Sequence, residues 1–186
     1  SEIAKNQSFR EKSDEEIEDL FNYAKNVAEK YKNLNEYRKA TFLLMKKTHK
    51  IAYARNEEEQ KKYNAIVDTP LFKDKQNALS VQALSYFYFS NRTYSFYAKN
   101  NITAAYNYSY SRVQLIEENP DIFGREYIYA LNDLIECELA LNMFDQALVS
   151  IKKIKTFQTK SALEKSQLFL MAYRLDLYLY GLSGNF

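Results

Sequence analysis

Apolar residues recur at three- and four-residue steps through most of the chain. From Ser13 onward, Ile17, Leu20, Phe21, Ala24, Val27, Ala28 and Tyr31 make one continuous stripe, which predicts a helix ending near Lys32-Asn33. Its start reads Ser13-Asp14-Glu15-Glu16. A serine that caps the first turn, with a glutamate three residues on, forms a capping box, and the acidic turn suits the helix dipole. Residues 1 to 12 are a polar lead-in. Tyr37, Ala40, Leu43 and Leu44 predict a second helix from about 35 to 54. Glu57 to Val67 reads as a short helix or a continuation of the second. Thr69-Pro70 breaks it, because a residue before proline is pushed out of the helical region.

A third helix spans about 75 to 99 and is crowded with aromatics, from Tyr86 to Tyr97. Asn100-Asn101 turns the chain into a helix over 102–118, which Asn119-Pro120 stops. Tyr127 to Phe157 reads as two helices joined by a tight turn at Asn142-Met143. A last helix covers 162–183, with Gly184-Asn185 as its stop, since glycine tolerates a positive φ there.

The elements repeat. Ile102, Phe144 and Phe186 each follow a turn and stand 42 residues apart in both steps. Ala105 and Ala147 come three residues after the first two, and Ala40 bears the same relation to Tyr37. A small residue there lets two helices of a hairpin cross closely. In this the chain resembles the tetratricopeptide repeat superfamily. The first hairpin carries Ala24, Ala28 and Tyr31, then Tyr37, Ala40 and Leu44. A later one carries Leu131, Leu134 and Ile135, then Phe144, Ala147 and Ile151. Between them the pattern is broken, with Arg92 and Thr93 where a leucine and a small residue are expected. The family's usual period is also shorter than 42. The resemblance implies an all-α fold: a right-handed α-α superhelix of stacked antiparallel helix hairpins occupying residues 13–186. A plain irregular helical bundle is the alternative. Phe186 stands where another second helix should begin, so the array reads as truncated at that end, or as self-associating through the uncovered last helix.

Composition narrows the function. The 26 basic and 24 acidic residues leave a net charge of +2, which gives no electrostatic footprint for nucleic acid. No apolar run is long enough to span a membrane. The lone Cys137 excludes an intrachain disulfide and a cysteine-based zinc site; it fits a reducing compartment, and a cytoplasmic location is expected. It lies in an apolar run and reads as a packed thiol. His49, the single histidine, lies among lysines and reads as solvated. Three scattered glycines make no phosphate-binding loop. Neither a cofactor nor a metal is expected, and no catalytic set emerges.

In stacked hairpins the first helices line the concave surface. The 42-residue step writes equivalent positions there: Phe87, Tyr129 and Met171; Ser90, Asn132 and Arg174; Asn91 and Asp133; Tyr94, Glu136 and Tyr178. By resemblance these line a groove for an extended peptide or a partner helix. Asparagine bonds both backbone donors and acceptors, arginine grips carboxylates, and tyrosine offers area with a polar tip. The expected function is a non-catalytic protein-interaction scaffold, part of a larger regulatory protein. Two alternatives stand beside it: an α-helical enzyme or small-ligand receptor with a Tyr-rich pocket, and an RNA-binding helical repeat.

Overall fold

A computed structural model describes residues 14–49, 72–158 and 161–184, with isolated positions 61, 64, 65 and 68 between the first two stretches. The lead-in, the Ser13 cap, the 57–67 segment apart from 61, 64 and 65, the break at Thr69-Pro70, and Phe186 lie outside the described residues. So does the side chain of His49. The regular structure among the described residues is helical: α1 (Asp14–Lys30), α2 (Leu34–His49), α3 (Ala78–Thr93), a π-turn (Tyr94–Ala98), α4 (Ile102–Glu117), α5 (Glu126–Ala140), α6 (Phe144–Thr156) and α7 (Ala162–Ser183).

Helices α2, α3, α4 and α7 begin where a short polar side chain satisfies their free N–H groups. Asn33 Oδ1 accepts from Glu36 N at 3.3 Å, and Asn101 Oδ1 from Ala104 N at 3.0 Å. Asn77 Oδ1 accepts from the N–H groups of Leu79 and Ser80. Ser161 Oγ accepts from Glu164 N at 3.2 Å.

The turns carry the 42-residue period into the backbone. Asn100, Asn142 and Gly184 have φ of 49°, 58° and 71°, each in the left-handed region at the end of a helix. Asparagine and glycine are the residues that tolerate this conformation best. Lys32, at φ 54°, makes the equivalent turn between α1 and α2. That turn corrects one detail of register. Since α2 starts at Leu34, it is Leu34 that stands where Ile102 and Phe144 stand, and Tyr37 occupies the place of Ala105 and Ala147.

The chain divides into two compact units, one reaching to Phe87 and the other running from Tyr88 to Phe186, where the sequence predicts a single domain over 13–186. In the first unit α1 packs on α2. Phe72 and Ala83 are buried there, with Phe42, Leu84, Tyr86 and Phe87 packed against them. Arg38 of α2, itself buried, donates to Asp74 Oδ2 at 3.2 Å.

In the second unit consecutive helices pack in order, α4 on α5, α5 on α6 and α6 on α7, and α5 also touches α7. Ala105 and Ala147 are fully buried, as are Ile135, Ile151 and Ile154. A residue without a side chain beyond Cβ at each crossing is what lets the helix axes close up. Ala105 and Ala147, 42 residues apart, thus hold the same buried place after their turns.

Candidate functional site

A cleft of about 310 Å³ opens between α5 and α7 in the second unit. Ile128 and Tyr129 of α5, Phe157 after α6, and Leu168 and Met171 of α7 form its apolar lining. Arg125, Glu164 and Gln167 supply its polar edge. Arg125 Nη2 donates to Gln167 Oε1 at 3.0 Å, and its Nε lies 3.5 Å from Glu164 Oε1, so one arginine ties α5 to α7 across the mouth. A neighbouring triad fixes the base of α5. Tyr127 Oη and Lys153 Nζ both donate to Glu117 Oε1, each at 2.7 Å. Burial and that bond to Glu117 push the Tyr127 phenol well above its ordinary value. Burial acts to raise the Glu117 carboxyl, but the bonds from Lys153 and Tyr127 win and hold it below.

A second polar constellation lies inside the α3–α4–α5 corner. Arg92, at the end of α3, is 2% exposed. Its Nη2 donates to Glu136 Oε2 at 2.6 Å and to the Asp133 carbonyl at 3.4 Å. Arg112 of α4 donates from Nη1 to Asp133 Oδ2 at 2.9 Å. Asp133 thus sits between two guanidinium groups, with Arg92 Nη1 3.9 Å from its other oxygen. Rings flank both cations: Phe96 and Tyr97 lie 4.6 and 5.5 Å from Arg92, and Phe89 lies 4.9 Å from Arg112. The π-turn bears Phe96 and Tyr97. It ends with Lys99 N–H donating to Tyr94 O and Asn101 N–H to Ser95 O, a widened winding that places both rings beside the guanidinium.

Charge in this corner is finely balanced. Burial works against the Arg92 cation, but Asp133, Cys137 and the bond to Glu136 outweigh it, so its proton is held more tightly than usual. Burial prevails for Arg112, whose proton is held less tightly than usual despite Asp133. Burial also pushes the Asp133 carboxyl up against the pull of both arginines. Cys137 Sγ lies 3.7 Å from Ser109 Oγ, and burial raises its thiol too. Such a cluster can fix one arrangement of three helices, since each buried charge has an oriented partner.

The predicted groove residues fall into distinct places. Tyr129 and Met171 meet in the α5–α7 cleft. Arg174 and Tyr178 are exposed and line a separate open hollow on α7, with Leu177, Gly181 and Leu182. Asn132 is half-buried and donates to Glu136 Oε1 at 3.2 Å. Asp133 and Glu136 belong to the arginine cluster. Ser90, Asn91 and Tyr94 are buried and offer no open surface. Phe87 packs into the core of the first unit.

Sequence reasoning missed Arg92, Arg112, Arg125 and Gln167. Arg92 alone left a signal, as the arginine standing where the repeat pattern wants leucine. Among the described residues no group of three or more His, Cys, Asp and Glu side chains is placed to hold a metal ion. Nor is any described helix long and apolar enough to cross a membrane. No protein-family model, curated protein or solved structure matches the chain.

Proposed function

We propose that the chain is a non-catalytic interaction module of tetratricopeptide-like stacked hairpins, which receives an extended peptide or a partner helix in the α5–α7 cleft. The observation that carries this reading is the meeting of Tyr129 and Met171 on one open, apolar-floored and polar-rimmed surface. A cleft of about 310 Å³ is at the small end of ligand-sized pockets. It suits one or two anchoring side chains of a longer partner. Tyr129, 55% exposed, supplies a broad face with a hydroxyl tip. Met171 supplies an adaptable floor that accepts more than one side-chain shape. Arg125 and Glu164 at the rim provide one charge of each sign for a partner's backbone or side chains.

Selection of displayed peptides on the purified protein tests the reading. Selected peptides should share an apolar anchor. They should shift the Met171 methyl resonance and lose binding to Tyr129→Ala and Met171→Glu. Arg125→Glu should change which charges are selected beside the anchor. Peptides that bind equally well to both cleft variants would place the interaction elsewhere.

A further inference from the structure

The outer face of α7 carries an apolar pattern that stays exposed. Leu168, Ala172, Leu175 and Leu179 point inward, and the last three are buried. On the opposite side Leu163, Ser166, Leu170, Tyr173, Leu177 and Tyr180 alternate at three- and four-residue steps. That is a heptad seam, with leucine at every first position and serine or tyrosine at every second. Its large members are exposed: Leu163 is 70%, Leu170 66%, Tyr173 54%, Leu177 55% and Tyr180 51% accessible.

We propose that this seam packs, antiparallel and about a two-fold axis, on the same seam of a second copy of the chain. The pattern is self-complementary in one register. Leu170 meets Tyr173 of the second copy, Leu163 meets Tyr180, and Ser166 meets Leu177. Every layer then sets one leucine against a tyrosine or a serine. A two-fold contact requires such reciprocity, because residue i touches j and j touches i. A parallel pairing would set Ser166 against itself and ring against ring.

Gly181 supports the same register. It lies inside α7, where glycine disfavours the helix by about 1 kcal/mol relative to alanine. A Cβ placed on it meets nothing within 4 Å. Together with Arg174, Leu177, Tyr178 and Leu182 it bounds the open hollow, about 400 Å³. In the antiparallel register Leu163 of the second copy is the knob that enters this hollow. Charge does not oppose the contact. Asp176 is held by Lys155 at 2.6 Å, and Arg174 comes alongside Gln167 of the second copy, where the Arg125 that bonds Gln167 is itself paired with Glu164. Area is adequate as well. Five half-exposed large side chains and the flanking Phe169 contribute about 100 Å² each, and the stems beside them bring each copy near the roughly 800 Å² of a standard interface.

Sedimentation velocity over a concentration series tests the proposal, with the 22.0 kDa chain running at twice its mass. Leu170→Glu and Tyr173→Ala each replace an exposed side chain, so the helical signal should be unchanged while dimer affinity falls by about thirtyfold or more. Gly181→Phe should do the same by filling the hollow. Leu148→Glu, on exposed surface of α6, should leave the dimer intact. Mixed Ser166→Cys and Leu177→Cys proteins should form a disulfide that neither forms alone. A monomer at every concentration overturns the proposal, and so does a dimer indifferent to Leu170→Glu. A Ser166→Cys disulfide formed by that variant alone overturns the antiparallel register. Cleft variants at Tyr129 should leave the mass unchanged, so this test and the peptide-binding test can fail separately.

Discussion

Two regions of the second unit, 42 residues apart in sequence, differ in what fills them. Forty-two residues separate Arg92 from Leu134, Ser109 from Ile151, and Arg112 from Ile154. All six are buried. In the α5–α6 pair the positions are apolar and close by shape alone. In the α3–α4 pair two are guanidinium groups, and the gap is bridged by Asp133 and Glu136 reaching over from α5. Buried positions 42 residues apart thus carry an apolar filling in one region and an ionic one in the other. The ionic core requires a neighbour that supplies counter-charges, whereas the dry core requires only volume.

Breaking the ionic pair should have the largest effect. Asp133→Leu takes the carboxylate away from buried Arg112 and leaves Arg92 with Glu136 alone, and chemical denaturation should report a loss of about 3–5 kcal/mol. Converting the first pair to the chemistry of the second is the sharper experiment. The triple change Arg92→Leu, Arg112→Ile and Asp133→Leu should be neutral, or should stabilise by up to about 4 kcal/mol, because no buried charge is left without a partner. If the triple variant is as damaged as the single one, charge is not what separates the two pairs.

Volume should matter in the opposite place. Ile151→Ala opens a cavity in the dry pair and should cost about 2–5 kcal/mol. Its counterpart Ser109→Ala loses only long contacts, 3.5 Å to the Asp133 carbonyl and 3.7 Å to Cys137, and should cost about 1 kcal/mol or less. The same denaturation measurement compares them.

The dry pair does hold one carboxyl, Glu138, which makes it sensitive to pH. Ser150 Oγ donates to its Oε1 at 3.3 Å, while its Oε2 is buried without a partner. Burial raises its pKa above the ordinary 4.5. The folded protein therefore favours the protonated acid. That contribution is fully present below the ordinary value and is lost as pH rises through the higher folded one. Glu138→Gln should flatten this part of the stability profile, a difference visible in denaturation midpoints on the two sides of that window. Smaller again is Asn101→Ala, which removes the α4 cap and should cost about 1 kcal/mol by the same assay.

Legibility in the sequence follows from which forces are local. Helix positions, the turn asparagines, the stop at Gly184 and the alanines at the crossings were readable, because periodicity, positive φ and missing volume each leave a mark on one residue. The buried arginines were not. Arg92 and Arg112 look like surface residues until Asp133 and Glu136, some 20 to 44 positions away, are brought beside them. The π-turn was equally hidden, since its wide winding accompanies the packing of Phe96 and Tyr97 on a cation and follows from no propensity. Two of the eight residues that line the cleft, Tyr129 and Met171, stand among the positions that the 42-residue step writes. Arg125 and Gln167 join it through a contact across helices that no spacing announces.

Cys137 gives this architecture a built-in clock. It is the only thiol in the chain, it is fully buried, and it sits against Ser109 where the ionic pair meets the dry one. A thiol reagent can reach it only when the corner between α4 and α5 opens. The rate of modification, followed as denaturant is raised from zero, therefore reads whether that corner opens alone or only when the whole unit unfolds.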